Sequence, residues 1–127
     1  MPELPEVEVT RLGIAPHLQG QAVTAVQILD GRLRWPVPKN LSKLLLGQKV
    51  KDIQRRGKYL LIEFATGHLL IHLGMTGTLR VLPLKESLKL HDRVILEFGS
   101  LSLRLHDPRK FGAVLWHPAS KGPIEKN

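Results

Sequence analysis

A mainly β fold of the α+β class is what this sequence predicts: an antiparallel β-sandwich of about eight strands, with an N-terminal helix and one further short helix. Three observations lead there. Leu101, Leu103 and Leu105 alternate with Ser102, Arg104 and His106, a period of two. Short apolar runs are joined by tight turn signals, Ala65-Thr66-Gly67 and Gly99-Ser100. A stripe of helical period is confined to the start of the chain, where Val7, Arg11, Ile14, Ala15 and Leu18 share one side.

The elements follow in order. Pro5 and the acidic Glu6 and Glu8 mark a helix start, so a helix is expected over 5–19. Pro16 should kink or shorten its last turn, and Gly20 ends it. Residues 22–29 are rich in β-branched side chains and read as a strand, closed by the turn signal Asp30-Gly31. A basic, aromatic, proline-punctuated loop follows over 31–38, then a short helix over about 39–46 that Gly47 terminates. Further strands are expected at 58–64, 68–73, 78–82, 93–98, 101–106 and 113–116. The segment 118–127 turns polar and reads as a linker or disordered tail, which leaves a domain over 1–117.

Composition narrows the function classes. Nineteen Lys plus Arg against eleven Asp plus Glu give a net charge of +8 over 127 residues, the electrostatic footprint of a polyanion binder. No run approaches the ~18 apolar residues of a membrane span, and the acidic, proline-containing start is unlike a signal peptide. A cytoplasmic location without membrane association is therefore expected. The chain has no cysteine, which excludes disulfides and thiolate-ligated zinc within it. Its six histidines lack the spacing of a metal site, so no cofactor is expected in this chain.

Four places hold residues suited to chemistry. At the start, removal of Met1 would leave Pro2 with a secondary amine, partly neutral and nucleophilic near pH 7, beside the carboxylate of Glu3. With Met1 in place that nitrogen is an amide and cannot attack. Glu3 and Glu6 lie three apart and share a helix face; a helix start stabilised by acids explains the same residues. In Gln54–Tyr59, Lys58 is placed to reach a phosphate or a proton-transfer position, or simply to be solvated. In His72-Leu73-Gly74-Met75-Thr76-Gly77, two glycines allow a turn that pushes Met75 outward, as for a wedge in a base stack, unless Met75 folds into the core. In His106–Gly112, Arg109 suits an unpaired base or a phosphate and Phe111 suits stacking; the other reading is a basic turn with Phe111 tucked inward.

Pro2–Glu8, Gln54–Leu61, Ile71–Arg80 and Asp107–Gly112, with the similar loop 31–37, together resemble the formamidopyrimidine-DNA glycosylase family, also called Fpg or MutM. The resemblance implies base-excision repair of oxidised purines in duplex DNA through a Schiff base, followed by strand cleavage at the abasic site. It implies Pro2 as nucleophile at C1′, Glu3 as the acid, and Lys58 in the elimination step, with Glu6 in support. His72, His91 and Arg109 would contact DNA. Met75, Arg109 and Phe111 would fill the gap left by an everted nucleotide. The implied partner is double-stranded DNA carrying a damaged base or abasic site, and the expected setting is a monomer in the bacterial cytoplasm, associated with the nucleoid. Family members continue into a helix–two-turn–helix domain and a four-cysteine zinc finger. Neither has a counterpart here, so zinc is expected only in that missing part, and the chain alone is expected to be weakly active or inactive. Lys110 stands where many members have a second arginine. A non-catalytic DNA-binding module is the alternative; a proline-dependent tautomerase is disfavoured because Pro5 starts a helix.

Overall fold

The computed structural model describes residues 3–124. In chain order its elements are α1 (Leu4–Leu18), β1 (Ala25–Ile28), α2 (Leu41–Leu45), β2 (Asp52–Arg56), β3 (Tyr59–Phe64), β4 (Gly67–His72), β5 (Thr78–Pro83), β6 (Asp92–Phe98), β7 (Leu101–His106) and β8 (Ala113–Pro118), with a 3-10 turn at Ala119–Lys121. The strands form two four-stranded antiparallel sheets, ordered β1-β6-β7-β5 and β2-β3-β4-β8. The expected sandwich with its two helices is the architecture found.

Alternation along the strands builds the core. Leu69 and Ile71 of β4 point inward with Val114 of β8, opposite Leu79, Val94, Leu96, Leu103 and Leu105 of the other sheet. The gap these eight side chains leave is about 10 Å³, room for one water at most. Helix α1 lays Val7, Ile14 and Leu18 against edge strands of both sheets, β2 and β5, closing one open side of the sandwich. Helix α2 lies against the edge strand β1.

Several expectations need correction. Helix α1 runs through Pro16 to Leu18 and is not shortened. The hydrogen bond Pro16 forgoes would have gone to the carbonyl of Leu12, an exposed residue, so its loss falls on the solvent side of the helix. Arg11 is half-buried and turns its guanidinium to Glu8 and to the Ile53 carbonyl. The strand expected over 22–29 is regular only at Ala25–Ile28, with Ala22 making a lone bridge to Lys49. Asp52–Arg56, where no strand was expected, is an edge strand whose charged side chains serve α1. Strand β8 continues to Pro118 and is followed by the 3-10 turn, so ordered structure passes the boundary at 117; the last residues, 125–127, lie outside the described ones. Arg104, on the polar side of β7, is 1% exposed. It donates to Ser102 Oγ and to the carbonyls of Pro83, Leu84, Glu86 and Ser87, a segment that wraps over it.

Candidate nucleic-acid interface

Glu3 is the N-cap of α1. Its backbone N–H donates to Glu6 Oε2 at 2.8 Å while its own side chain accepts from the Glu6 amide, a capping box that fixes both carboxylates. The exposed Glu3 carboxylate meets Lys58 Nζ at 3.1 Å. Lys58 is aimed there by the β2–β3 turn, where Gly57 takes φ +59°. Arg55 braces that turn, donating to the Gly57 carbonyl and to Glu8 Oε1, both at 3.1 Å. The hydrogen bond from Arg11, with that from Arg55, holds the Glu8 carboxyl down at about 2. Glu8 thereby pins α1 to the hairpin that carries Lys58. Pro2 lies outside the described residues.

His72 ends β4 opposite Tyr59, with the two rings edge-on at 5.0 Å. Its Nδ1 accepts the Gly74 N–H at 2.9 Å, which leaves Nε2 to donate from a neutral ring. Burial lowers its pKa first, and the nearby cations Arg34 and Lys58 add to the effect. The folded state therefore takes up this proton less readily than the unfolded chain. Stability contributed at His72 is complete above about pH 6.5 and is lost as pH falls below that value. Thermal melts between pH 8 and 5 are expected to show a shallower loss for His72→Gln than for the wild type; equal slopes would contradict this.

Beyond His72 the chain turns through Gly74, at φ +62°, and presents Met75 with 43% of its surface exposed. Phe111 from the β7–β8 loop is 42% exposed, and the Arg109 guanidinium stacks over its ring at 5.0 Å. The two loops touch: a side chain on Gly74 would come within 2.5 Å of Phe111 and Gly112 backbone atoms. The sequence readings that placed Met75 in the core and Phe111 inward are both excluded. His91 adopts φ 75°, accepts from the Asp107 N–H through its carbonyl, and holds Arg93 at its Nδ1. Lys110 turns away from this ridge, its Nζ 2.8 Å from Asp30. Asp30 also receives Arg32 and Arg93, and its hydrogen bonds, from Arg32 first and then Lys110, keep its carboxyl well below the usual carboxylate range. The lysine is thus a tether between loops.

Glu3, Lys58, His72, Met75, Arg109 and Phe111 lie along one end of the sandwich, His91 reaching it through Asp107. Arg34 was missed as a site residue. Its backbone N–H donates to the Gly112 carbonyl, its guanidinium sits 5.8 Å over the exposed Trp35 ring, and its charge is felt at His72. The basic, aromatic character of 31–38 was the available signal. A concavity of about 550 Å³ at Pro83–Lys85 and Ser100–Leu101 lies at the other end of β5 and β7. What the site offers is a projecting, cationic ridge with apolar tips. Among the described residues no cluster of His, Asp and Glu is arranged to hold a metal ion, and no helix is long and apolar enough to cross a membrane. As a test of this end as a polyanion-binding surface, Arg34→Ala is expected to weaken duplex binding and reduce the slope of log affinity against log salt by about 1, without a change in melting temperature. An unchanged salt slope would exclude Arg34 from the interface.

Comparison with known proteins bears on the family and the fold. The formamidopyrimidine-DNA glycosylase N-terminal domain family matches residues 1–114. The formamidopyrimidine-DNA glycosylase of Polynucleobacter necessarius subsp. necessarius (strain STIR1) is 79% identical over 126 residues, which are 99% of this chain and 45% of that protein. The enzyme of the same name from Janthinobacterium sp. (strain Marseille) is 58% identical, covering 100% and 46%. The crystal structure of the Lactococcus lactis formamidopyrimidine-DNA glycosylase non-covalently bound to abasic-site DNA superposes with a TM-score of 0.87 at 31% identity, over 95% of this chain and 47% of that one. The chain spans less than half the length of the relatives it matches.

Proposed function

Since the chain belongs to the formamidopyrimidine-DNA glycosylase family through its N-terminal domain, we propose that it supplies the nucleophile, the acid and the base-stack wedge of a bifunctional DNA glycosylase and abasic-site lyase acting on oxidised purines. The observation that carries this reading is the Glu3–Lys58 pair, 3.1 Å apart at the N-terminus of α1, on the same end of the sandwich as the exposed Met75, Arg109 and Phe111.

In this reading the ridge enters the duplex and the damaged nucleotide leaves the stack. Pro2, freed of Met1, attacks C1′ with its nitrogen lone pair. The C1′–N bond to the base breaks as the base takes up a proton, and Glu3 protonates the ring oxygen so that the sugar opens. The resulting iminium acidifies C2′; loss of that proton expels the 3′ phosphate by β-elimination, with Lys58 beside the reacting groups. His72, neutral, donates from Nε2 to a flanking phosphate, and His91, Arg109 and Arg34 add to the backbone contacts.

Borohydride trapping on duplex DNA with one abasic site, with intact mass measured on the same sample, tests the proposal. A covalent adduct from chain lacking Met1 is the expected result. No adduct from such chain, together with salt-dependent duplex binding, would favour the second reading, a DNA-binding module without catalysis. The net charge of +8 supports that alternative. A monomer in the bacterial cytoplasm is the proposed state.

A further inference from the structure

Asp107 is fully buried, 0% exposed, yet no cation pairs with its carboxylate among the described residues. Burying an unpaired charge is costly unless every lone pair is used. Here the donors come from two loops. Asp107 Oδ1 accepts from Thr76 Oγ at 3.1 Å, in the turn that carries Met75. Its Oδ2 accepts from the Gly112 N–H at 2.8 Å, in the loop that carries Arg109 and Phe111. The Thr76 hydroxyl in turn accepts from the Arg109 N–H at 3.4 Å. The Asp107 backbone is held as well, its N–H by the His91 carbonyl and its own carbonyl by Arg93 Nε at 3.0 Å.

Resting on the reading of this end as a base-stack wedge, we infer that Asp107 and Thr76 are positioning residues that lock the Met75 turn and the Arg109–Phe111 loop into one rigid insert. Parting stacked bases costs a few kcal/mol per step, and only a tip that cannot fold aside delivers that work. A latch closed before DNA arrives means the ordering is not charged to binding. Neither residue is required to touch the nucleic acid.

The test compares affinity for a duplex holding a tetrahydrofuran abasic site with affinity for the intact duplex, with 2-aminopurine opposite the gap reporting unstacking. Thr76→Val removes the hydroxyl with little change of shape; it is expected to lower the affinity ratio about fivefold and to blunt the fluorescence rise. The salt slope should not move, because no cation is lost. Thr76→Ser is expected to restore both readouts. Asp107→Asn serves as a second variant if it folds. In Met75→Ala, which removes the tip itself, the ratio falls, and adding Thr76→Val lowers it little further. A Thr76→Val chain that melts lower but keeps the wild-type ratio would show a merely structural role and overturn the latch alone. A wild type without preference, or a Met75→Ala chain that keeps it, would overturn the wedge reading and the latch with it.

Discussion

Gly74→Ala is expected to destabilise the fold by about 3 kcal/mol, lowering the melting temperature by about 10 °C for a domain of this size. Two costs combine. Gly74 sits at φ +62°, where an L side chain loses about 1–2 kcal/mol. A Cβ there also meets the backbone of Phe111 and Gly112 at 2.5 Å, and backbone cannot swing aside. Gly99 separates the two: its φ is +69°, but nothing lies within 4 Å of a Cβ, so Gly99→Ala should cost only about 1–2 kcal/mol. Urea melts of both variants decide the matter, and equal losses would refute the close approach of the two loops.

Glu3→Gln is expected to slow base release about 10²–10⁴-fold in chain freed of Met1, measured in single turnover on a duplex with one oxidised purine. The amide cannot give up a proton to the ring oxygen. Stability should barely change, because the Glu3–Lys58 pair is exposed and such pairs contribute about 0–1 kcal/mol. Trapping on a preformed abasic site should fall less, since that sugar opens to its aldehyde without the enzyme. Base release at the wild-type rate would remove Glu3 from the chemistry.

Much of the fold was legible because alternation is a direct consequence of strand geometry. His68–Leu73 and Leu101–His106 announce their inward faces in sequence, and both point as expected. Strand β2 was not legible. Asp-Ile-Gln-Arg-Arg reads as a solvated turn, and only α1 lying across it gives Arg55 its partner in Glu8. Burial of the polar side of β7 was likewise hidden, because the cover comes from the Pro83–Ser87 segment, which shows no periodicity. In the site, the glycines around Met75 betrayed an outward turn, whereas Asp107 looked like an ordinary turn residue. Its two donors come from positions 31 residues before it and 5 after it. Arg34 escaped for the opposite reason: one of two arginines in a basic loop looks like any other solvated charge.

The way α1 closes the sandwich also sets an order of events during synthesis. The helix precedes both of its seats, β2 and β5, in the chain, and the second is complete only when Pro83 has been made. Until then Val7, Ile14 and Leu18 lack the second of their two seats, and a lone fifteen-residue helix is marginal in water. The helix therefore gains its full packing late in synthesis. When α1 seats, Glu3 arrives at Lys58, so this ion pair forms only with the assembled sandwich and reports its completion.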